Sequence, residues 1–428
     1  MEIQEQSGLR QLLQDVKIPK MFRVRQIFPH DSIRDIPGVL REQLQGMENR
    51  IRPGMRVVLT GSSRQIANMP LVLRTLAQWV REQGGEPWII PAMGSHGGAT
   101  DEGQRQLLEG YGITEEACDC PIFSSMETVQ IGHLECGDEV RMDKFAYESD
   151  AIIIVGRIKA HTAFRGTYES GLVKMTAIGL GKRAGADSLH RWGFGRLAER
   201  LPPYAQIVME NSNIVFGVGL IENEFDETCR IAVVPGEEIF EKEPELLLYA
   251  KTRLPKLLFP ETDVLIVREI GKNFSGSGMD PNVTGTFGTP FASGGIRKQR
   301  VAVLDISEES HGNYIGLGMA DVTTKRAFDK LQTNTTYFNM ITSTVLGVGK
   351  IPMTLEDDKL AIQTAIRTLN GVDKDHVRMI YIKNTLSLET VLVSEAFWEE
   401  VQNRADLEIL EQPRELNFDE DGNLLDFA

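Results

Sequence analysis

The run AIIIV at Ala151–Val155 restricts the fold more than any other stretch of the chain. An unbroken apolar, β-branched segment with no polar alternation forms a strand whose two faces are both covered, as in the sheets of α/β proteins. Similar runs recur at Arg56–Thr60, Pro87–Pro91, Ile214–Leu220, Asp263–Val267, Val301–Ile306 and Val377–Ile382. Between them fall helical patterns at Met69–Gln83, Glu241–Leu258, Asp321–Leu331, Leu355–Leu369 and Glu395–Asn403. The first has Pro70 in its opening turn and Gly84 after its end, a start and a stop with physical causes. The alternation predicts an α/β fold of two domains, with mixed or parallel sheets flanked by helices. At 428 residues, 41% hydrophobic, the chain has enough apolar side chains for two separate cores. A boundary is placed near Pro260, between an N-terminal domain (1–260) and a C-terminal domain (261–428) whose final segment is free to pack back on the first. The active site is expected in the cleft between them.

Charge and composition exclude some functions. A net charge of -15 opposes nucleic acid as a partner, since phosphate binding needs a surplus of Lys and Arg on one face. No apolar run approaches the ~18 residues of a membrane span, and the opening MEIQEQSGLRQLL lacks a signal-peptide pattern, so a cytoplasmic protein with no membrane partner is expected. Cys118, Cys120, Cys136 and Cys229 make neither a CxxC pair nor a disulfide framework and are expected to be reduced thiols.

Chemistry concentrates in glycine-rich turns that follow predicted strands. Three of the seven histidines, His96, His161 and His190, fall there. A lone histidine in a loop is ordinarily a hydrogen-bonded surface residue, but the grouping favours a site, because imidazole both moves protons near neutral pH and ligates transition metals. His96 lies in GSHGGATDEG, among Gly94, Gly97 and Gly98, with Thr100 as the N-cap of a helix whose first turn is acidic. His161, Lys174 and His190 share Ala160–Gly193, where bulky apolar residues are sparse, so an open turn rather than a packed helix is expected. Arg64, in TGSSR beyond the Arg56–Thr60 run, is placed to hold a carboxylate, with Ser62 and Ser63 beside it. GLGKRAG (Gly179–Gly185) offers backbone N–H groups with Lys182 and Arg183, as a phosphate cradle would, yet matches neither a P-loop nor a dinucleotide fingerprint. Trp192 is assigned to core packing. Lys272, Asp280 and Asn282 lie on an irregular loop, where Asp280 before Pro281 reads first as a turn former. His190 alone cannot complete a metal site, so a metal there needs donors from elsewhere.

Taken together, TGSSR, GSHGGATDEG and HTAFRG…GLVK…SLH resemble the nickel-dependent lactate racemase family in order and approximate spacing over residues 55–195. The resemblance implies a racemase or epimerase that inverts C2 of a 2-hydroxy acid through a 2-oxo acid. The cofactor it implies is a nickel-pincer nucleotide, a pyridinium-3,5-bisthiocarboxylic acid mononucleotide, made by biosynthetic enzymes acting upstream. By the same resemblance His190 is the nickel ligand, Lys174 lies against or joins the nucleotide, and His96 and His161 are the acid/base pair. Arg64 holds the carboxylate. Gly94, Gly97, Gly98 and Lys182 are assigned to cofactor binding in domain 1–260, and Lys272 to substrate binding. Where lactate-specific members carry an aspartate three residues before the arginine, this chain has Gly61. The His161-to-Lys174 interval is also three residues longer than theirs, which leaves the nickel chemistry in place but puts lactate itself in doubt, with a larger or more polar hydroxy acid such as a sugar acid an equal candidate. Read without the resemblance, the residues also allow a metal-independent hydrolase, lyase or nicotinamide-dependent enzyme, or a two-domain carboxylate-binding protein.

Overall fold

A computed structural model describes residues 2–425. The fold is mixed α/β and divides into two compact units, His30–Leu254 and a second formed by Met1–Pro29 with Pro255–Ala428. The sequence placed one boundary near Pro260. The structure instead gives the first 29 residues to the second unit, because Met21–Gln26 is a strand paired on both edges there, with Thr390–Ser394 and Leu407–Ile409.

The unit His30–Leu254 is built on a sheet of β1 (Arg56–Gly61), β2 (Glu86–Pro91), β3 (Ala151–Arg157), β4 (Ile214–Glu222) and β5 (Thr228–Pro235), in the order β2-β1-β3-β4-β5. The first four run parallel and β5 is antiparallel to β4. Both faces of the sheet are covered, which explains the unbroken apolar run of β3. On one face Val57, Leu59, Ile153 and Val155 meet Leu73, Leu76 and Val80 of helix α1 (Met69–Glu82). On the other, Val58, Ile90, Ile152 and Ile154 meet Leu172, Val173, Ala177 and Leu189.

Those last four residues overturn one expectation. Residues 172–190 are not an open turn but a buried helical passage, with a short α-turn at Leu172–Lys174, a π-helical turn at Met175–Gly179 and helix α3 (Lys182–His190) after a brief break. The small residues that suggested a loop are small because the passage packs closely. A Cβ on Gly179 would lie 2.5 Å from Met175 Sδ and 2.8 Å from the Ala92 carbonyl oxygen. Gly179–Gly185, whose N–H groups alone offered only a weak phosphate-cradle pattern, is instead taken up in these helical turns.

In the second unit the sheet order is Met353–Leu355, Val322–Thr324, Arg300–Ile306, Val264–Ile270, Met379–Ile382, Thr390–Ser394, Met21–Gln26, Leu407–Ile409. The first five strands are parallel and the last three antiparallel to their neighbours. The helix expected at Asp321–Leu331 is in part the strand Val322–Thr324, whose β-branched residues are all buried, with helix only at Lys325–Asp329. Asp280 accepts hydrogen bonds from the backbone and side-chain nitrogens of Asn282, each at 2.9 Å, as a turn former does. Among the described residues no helix is long and apolar enough to cross a membrane, and the four cysteines are free thiols.

If close packing is what excludes side chains from the helical passage, Gly179→Ala should destabilise the protein by about 1–3 kcal/mol. Gly110→Ala, where a Cβ meets nothing within 4 Å, should be neutral or stabilise by up to ~1 kcal/mol. Urea unfolding of the two variants checks the contrast.

Candidate active site

The loops after β1, β2 and β3 leave the carboxyl ends of adjacent parallel strands, the edge at which open α/β sheets bind ligands. Arg64 follows β1, His96 follows β2 and His161 follows β3, so sheet order alone sets Arg64 between the two histidines. The helical passage beneath this edge adds Lys174 and His190.

Four of these groups share one electrostatic neighbourhood. The pKa of His161 is held well below its ordinary value, first by burial and then by the neighbouring basic groups Lys174, His190, Arg165 and Arg64, whose protonation opposes its own. Burial also lowers Lys174, to about 7, with the Arg64 charge contributing. His190 falls to about 4, chiefly through burial and the Lys174 charge, against a small opposing effect of Asp187. The Arg64 guanidinium is lowered too, by the protein crowded around it and by Arg157, although its side chain is still open to water. The Phe194 ring joins the two imidazoles, its centroid 5.9 Å from His161 and 5.3 Å from His190. At neutral pH both rings are thus neutral and carry a lone pair.

The hydrogen bonds of His96 and His161 give the two rings opposite tautomers. His96 Nδ1 lies 2.8 Å from the Met93 carbonyl oxygen, which can only accept, so Nδ1 carries the proton and Nε2 the lone pair. His161 Nδ1 accepts the Ala163 backbone N–H at 3.1 Å, so its proton sits on Nε2. One imidazole is disposed to accept at Nε2 and the other to donate there.

The His96 turn is fixed to the helical passage by buried contacts. Gln104 donates to the Gly94 and His96 carbonyls at 2.9 and 3.2 Å. Gly94 has φ +58, and a Cβ there would touch Ile178 at 3.0 Å. At Gly97, also at positive φ, a Cβ would collide with Gln104 N at 2.6 Å, whereas Gly98 borders open space. Gly94 and Gly97 are thus demanded by packing, and Gly98 alone of the three leaves room for a bound molecule. Thr100 Oγ1 accepts the Gly103 N–H at 3.1 Å as the predicted N-cap of helix α2 (Asp101–Gly110).

Two assignments are corrected. Lys182 is not exposed to a cofactor: it is 0% accessible, and its ammonium meets Asp143 at 3.0 Å, the Pro91 carbonyl at 2.6 Å and Gln104 Oε1 at 3.4 Å. It ties the end of β2 to the start of α3. Trp192 is 47% exposed rather than core, donating to Asp138 at 2.7 Å with the Arg200 guanidinium 4.2 Å above its ring. Ser62 hydrogen-bonds the Arg64 carbonyl at 3.0 Å, and the Ser63 carbonyl accepts from Arg64 and from Tyr111, both at 3.3 Å, so these serines shape the Arg64 loop. Lys272 lies in the other unit, where its ammonium closes its own loop onto the Gly276 carbonyl at 2.7 Å.

The sequence reading passed over Arg165, Glu169, Phe194 and Glu243. Glu243 belongs to helix α5 (Ile239–Thr252) and accepts the Val173 N–H at 2.8 Å, capping the turn that carries Lys174. Burial pushes its carboxyl up to about 7. The hint for Glu169 was an acid inside a glycine-bounded loop next to His161 and Arg165.

Among the described residues no group of three or more His, Cys, Asp or Glu could by itself hold a metal ion. His190 can therefore contribute to a metal centre only as one donor among others brought by a ligand.

Residues 22–196, which contain His96, His161, Lys174 and His190, are similar to the lactate racemase N-terminal domain, the family whose model they match. No curated protein sequence matches the chain. Among solved structures, the lactate racemase apoprotein from Thermoanaerobacterium thermosaccharolyticum is similar at 12% identity and a TM-score of 0.46, over 78% of this chain and 88% of that one.

The perturbed amine gives a direct check of the site's electrostatics. With its pKa near 7, Lys174 should be about half neutral at pH 7, where an ordinary lysine is neutral in roughly one molecule in 10³. Competitive acylation read by peptide mass spectrometry should find Lys174 half-maximally reactive near pH 7. Arg64→Met should move that midpoint upward, because a neighbouring positive charge is removed.

Proposed function

We propose that the protein is a racemase or epimerase of 2-hydroxy acids that works with a nickel-pincer nucleotide. The observation that carries this reading is the meeting of Arg64, Lys174, His161 and His190 in one neighbourhood of basic groups that oppose one another's protonation. The match of residues 22–196 to the lactate racemase N-terminal domain supports it.

The residues present fit such a group. His190 keeps its lone pair down to a pH of about 4, so protons do not compete for it at neutral pH. Lys174 forms no hydrogen bond or ion pair among the described residues, and its part-neutral amine suits contact with, or attachment to, a nucleotide thiocarboxylate. Among the described residues no cluster of His, Cys, Asp or Glu could hold a metal by itself, and on this reading the remaining soft donors come from the nucleotide, a set that suits nickel. When bound, the nickel centre would supply a hydride acceptor and donor for C2.

The chain's own groups do the rest. The Arg64 guanidinium, open to water and flanked by Tyr111 and Arg157, attracts and orients the substrate carboxylate. His96 Nε2 takes the hydroxyl proton, and the resulting imidazolium keeps its Nδ1–H on the Met93 carbonyl, which stabilises it. His161 Nε2–H holds the substrate oxygen by donation. Formation of the opposite enantiomer needs a proton returned from the other side. His161 Nε2 can give that proton only once Nδ1 has exchanged the Ala163 N–H for a proton of its own, so that the ring left behind is a neutral imidazole. Phe194 packs against the His161 and His190 rings and holds the two imidazoles side by side.

Position 61 bears on substrate choice. A Cβ on Gly61 would lie 2.8 Å from Leu108 Cδ2, so the site has no side chain there. A 2-hydroxy acid larger or more polar than lactate is the substrate class proposed.

Protein produced together with the cofactor-building enzymes should contain nickel and exchange the C2 configuration of a 2-hydroxy acid without added nicotinamide. His190→Ala should lose the metal. His96→Ala and His161→Ala should keep it and lose about 10²–10⁴-fold in turnover. Full activity after thorough metal removal, or in His96→Ala, would overturn the reading.

A further inference from the structure

Glu169 has no part in the reaction outlined above, yet it is fully buried, at 0% accessibility. Its Oε2 accepts the backbone N–H of His161 at 2.7 Å and lies 3.3 Å from Arg165 Nη1. Its Oε1 accepts the Lys251 ammonium from α5 at 2.7 Å and the Gly166 N–H at 3.4 Å. Arg165 Nη1 also donates to the carbonyls of His161 at 2.5 Å and of Phe164 at 3.1 Å. One ion pair therefore grips both the N–H and the C=O of the residue that bears the His161 ring.

Stability does not explain this arrangement. A buried ion pair costs desolvation of both partners, and apolar residues of similar volume commonly hold a loop as well or better. The ion pair supplies direction: two oxygens with four donors fix the backbone of His161 and, two residues on, the Ala163 N–H that its ring accepts. Resting on the function proposed above, we propose that Glu169 is a positioning residue that sets the resting tautomer of His161, protonated at Nε2, from which the reaction starts. The titratable and charged groups around the His161 ring are Lys174, His190, Arg165 and Arg64, and those on the Glu169 carboxylate are Arg165 and Lys251.

The test is made on the full-length chain with ¹⁵N-labelled histidine rings, the His161 signals being assigned by their loss in His161→Gln. Wild-type protein should show His161 protonated at Nε2. Glu169→Gln, and the double variant Glu169→Gln/Lys251→Met, in which no Lys251 ammonium is left without its carboxylate, should both lose that single tautomer, with His96 and His190 unmoved. In the cofactor-loaded enzyme kcat should fall roughly 10²-fold in both variants at unchanged KM. Retention of the Nε2–H tautomer in both variants overturns the proposal. So does return of tautomer and kcat to wild-type values in the double variant, which makes Glu169 a stability element only. Should the single variant not fold, the double variant decides alone. If wild-type protein converts no 2-hydroxy acid, the functional reading fails while the tautomer comparison still decides the role of Glu169.

Discussion

The candidate site depends on basic groups crowded together, with His161, Lys174 and His190 partly withdrawn from water and Arg64 beside them. An imidazole, an amine and a guanidinium brought close each oppose protonation of the others, and burial adds to the effect because the charged forms lose solvation. His161 and His190 are accordingly neutral at physiological pH and Lys174 is partly so. A neutral imidazole can ligate a metal or accept a proton, and a neutral amine can act as a nucleophile. The same crowding of basic groups suits an anionic ligand.

Such a neighbourhood must be held together by the surrounding fold. The parallel strands β1, β2 and β3 deliver Arg64, His96 and His161 to one edge, while the passage 172–190 runs against the sheet with Lys174 and His190 at separate points along it. The π-helical turn at Met175–Gly179 follows Lys174 directly, with the Leu180 N–H reaching the Met175 carbonyl at 2.9 Å, and such turns are frequent at functional sites. Buried polar ties then set the remaining freedom: Lys182 through Gln104 for the His96 turn, Glu243 for the Lys174 turn, and Glu169 with Arg165 for His161.

Much of this was legible in the sequence, for reasons that are local. The AIIIV run has one physical solution, a strand covered on both faces, and β3 adopts it. Thr100 caps its helix because a hydroxyl before an acidic first turn has an orphan N–H within reach. Where the reading failed, two structures shared one local signal. Glycine and alanine between Gly179 and Ala186 suit an open loop as well as a helix pressed onto a strand, and only the positions of Met175, Ala92 and Tyr204 distinguish them. Lys182 looked like a phosphate contact because its neighbours are small. It became a buried tie because Asp143, 39 residues earlier in the chain, faces it.

What the sequence determined by itself was the alternation of strands and helices, the edge at which the loops gather, and the residue types able to do chemistry there. These follow from periodicity, capping and the side chains' own proton affinities. Tertiary structure alone decided which of those residues share a neighbourhood, how far their proton affinities move, and which ring nitrogen carries the proton. Each of these depends on burial and on partners distant in the chain, such as Lys251 on Glu169, and no local pattern records them.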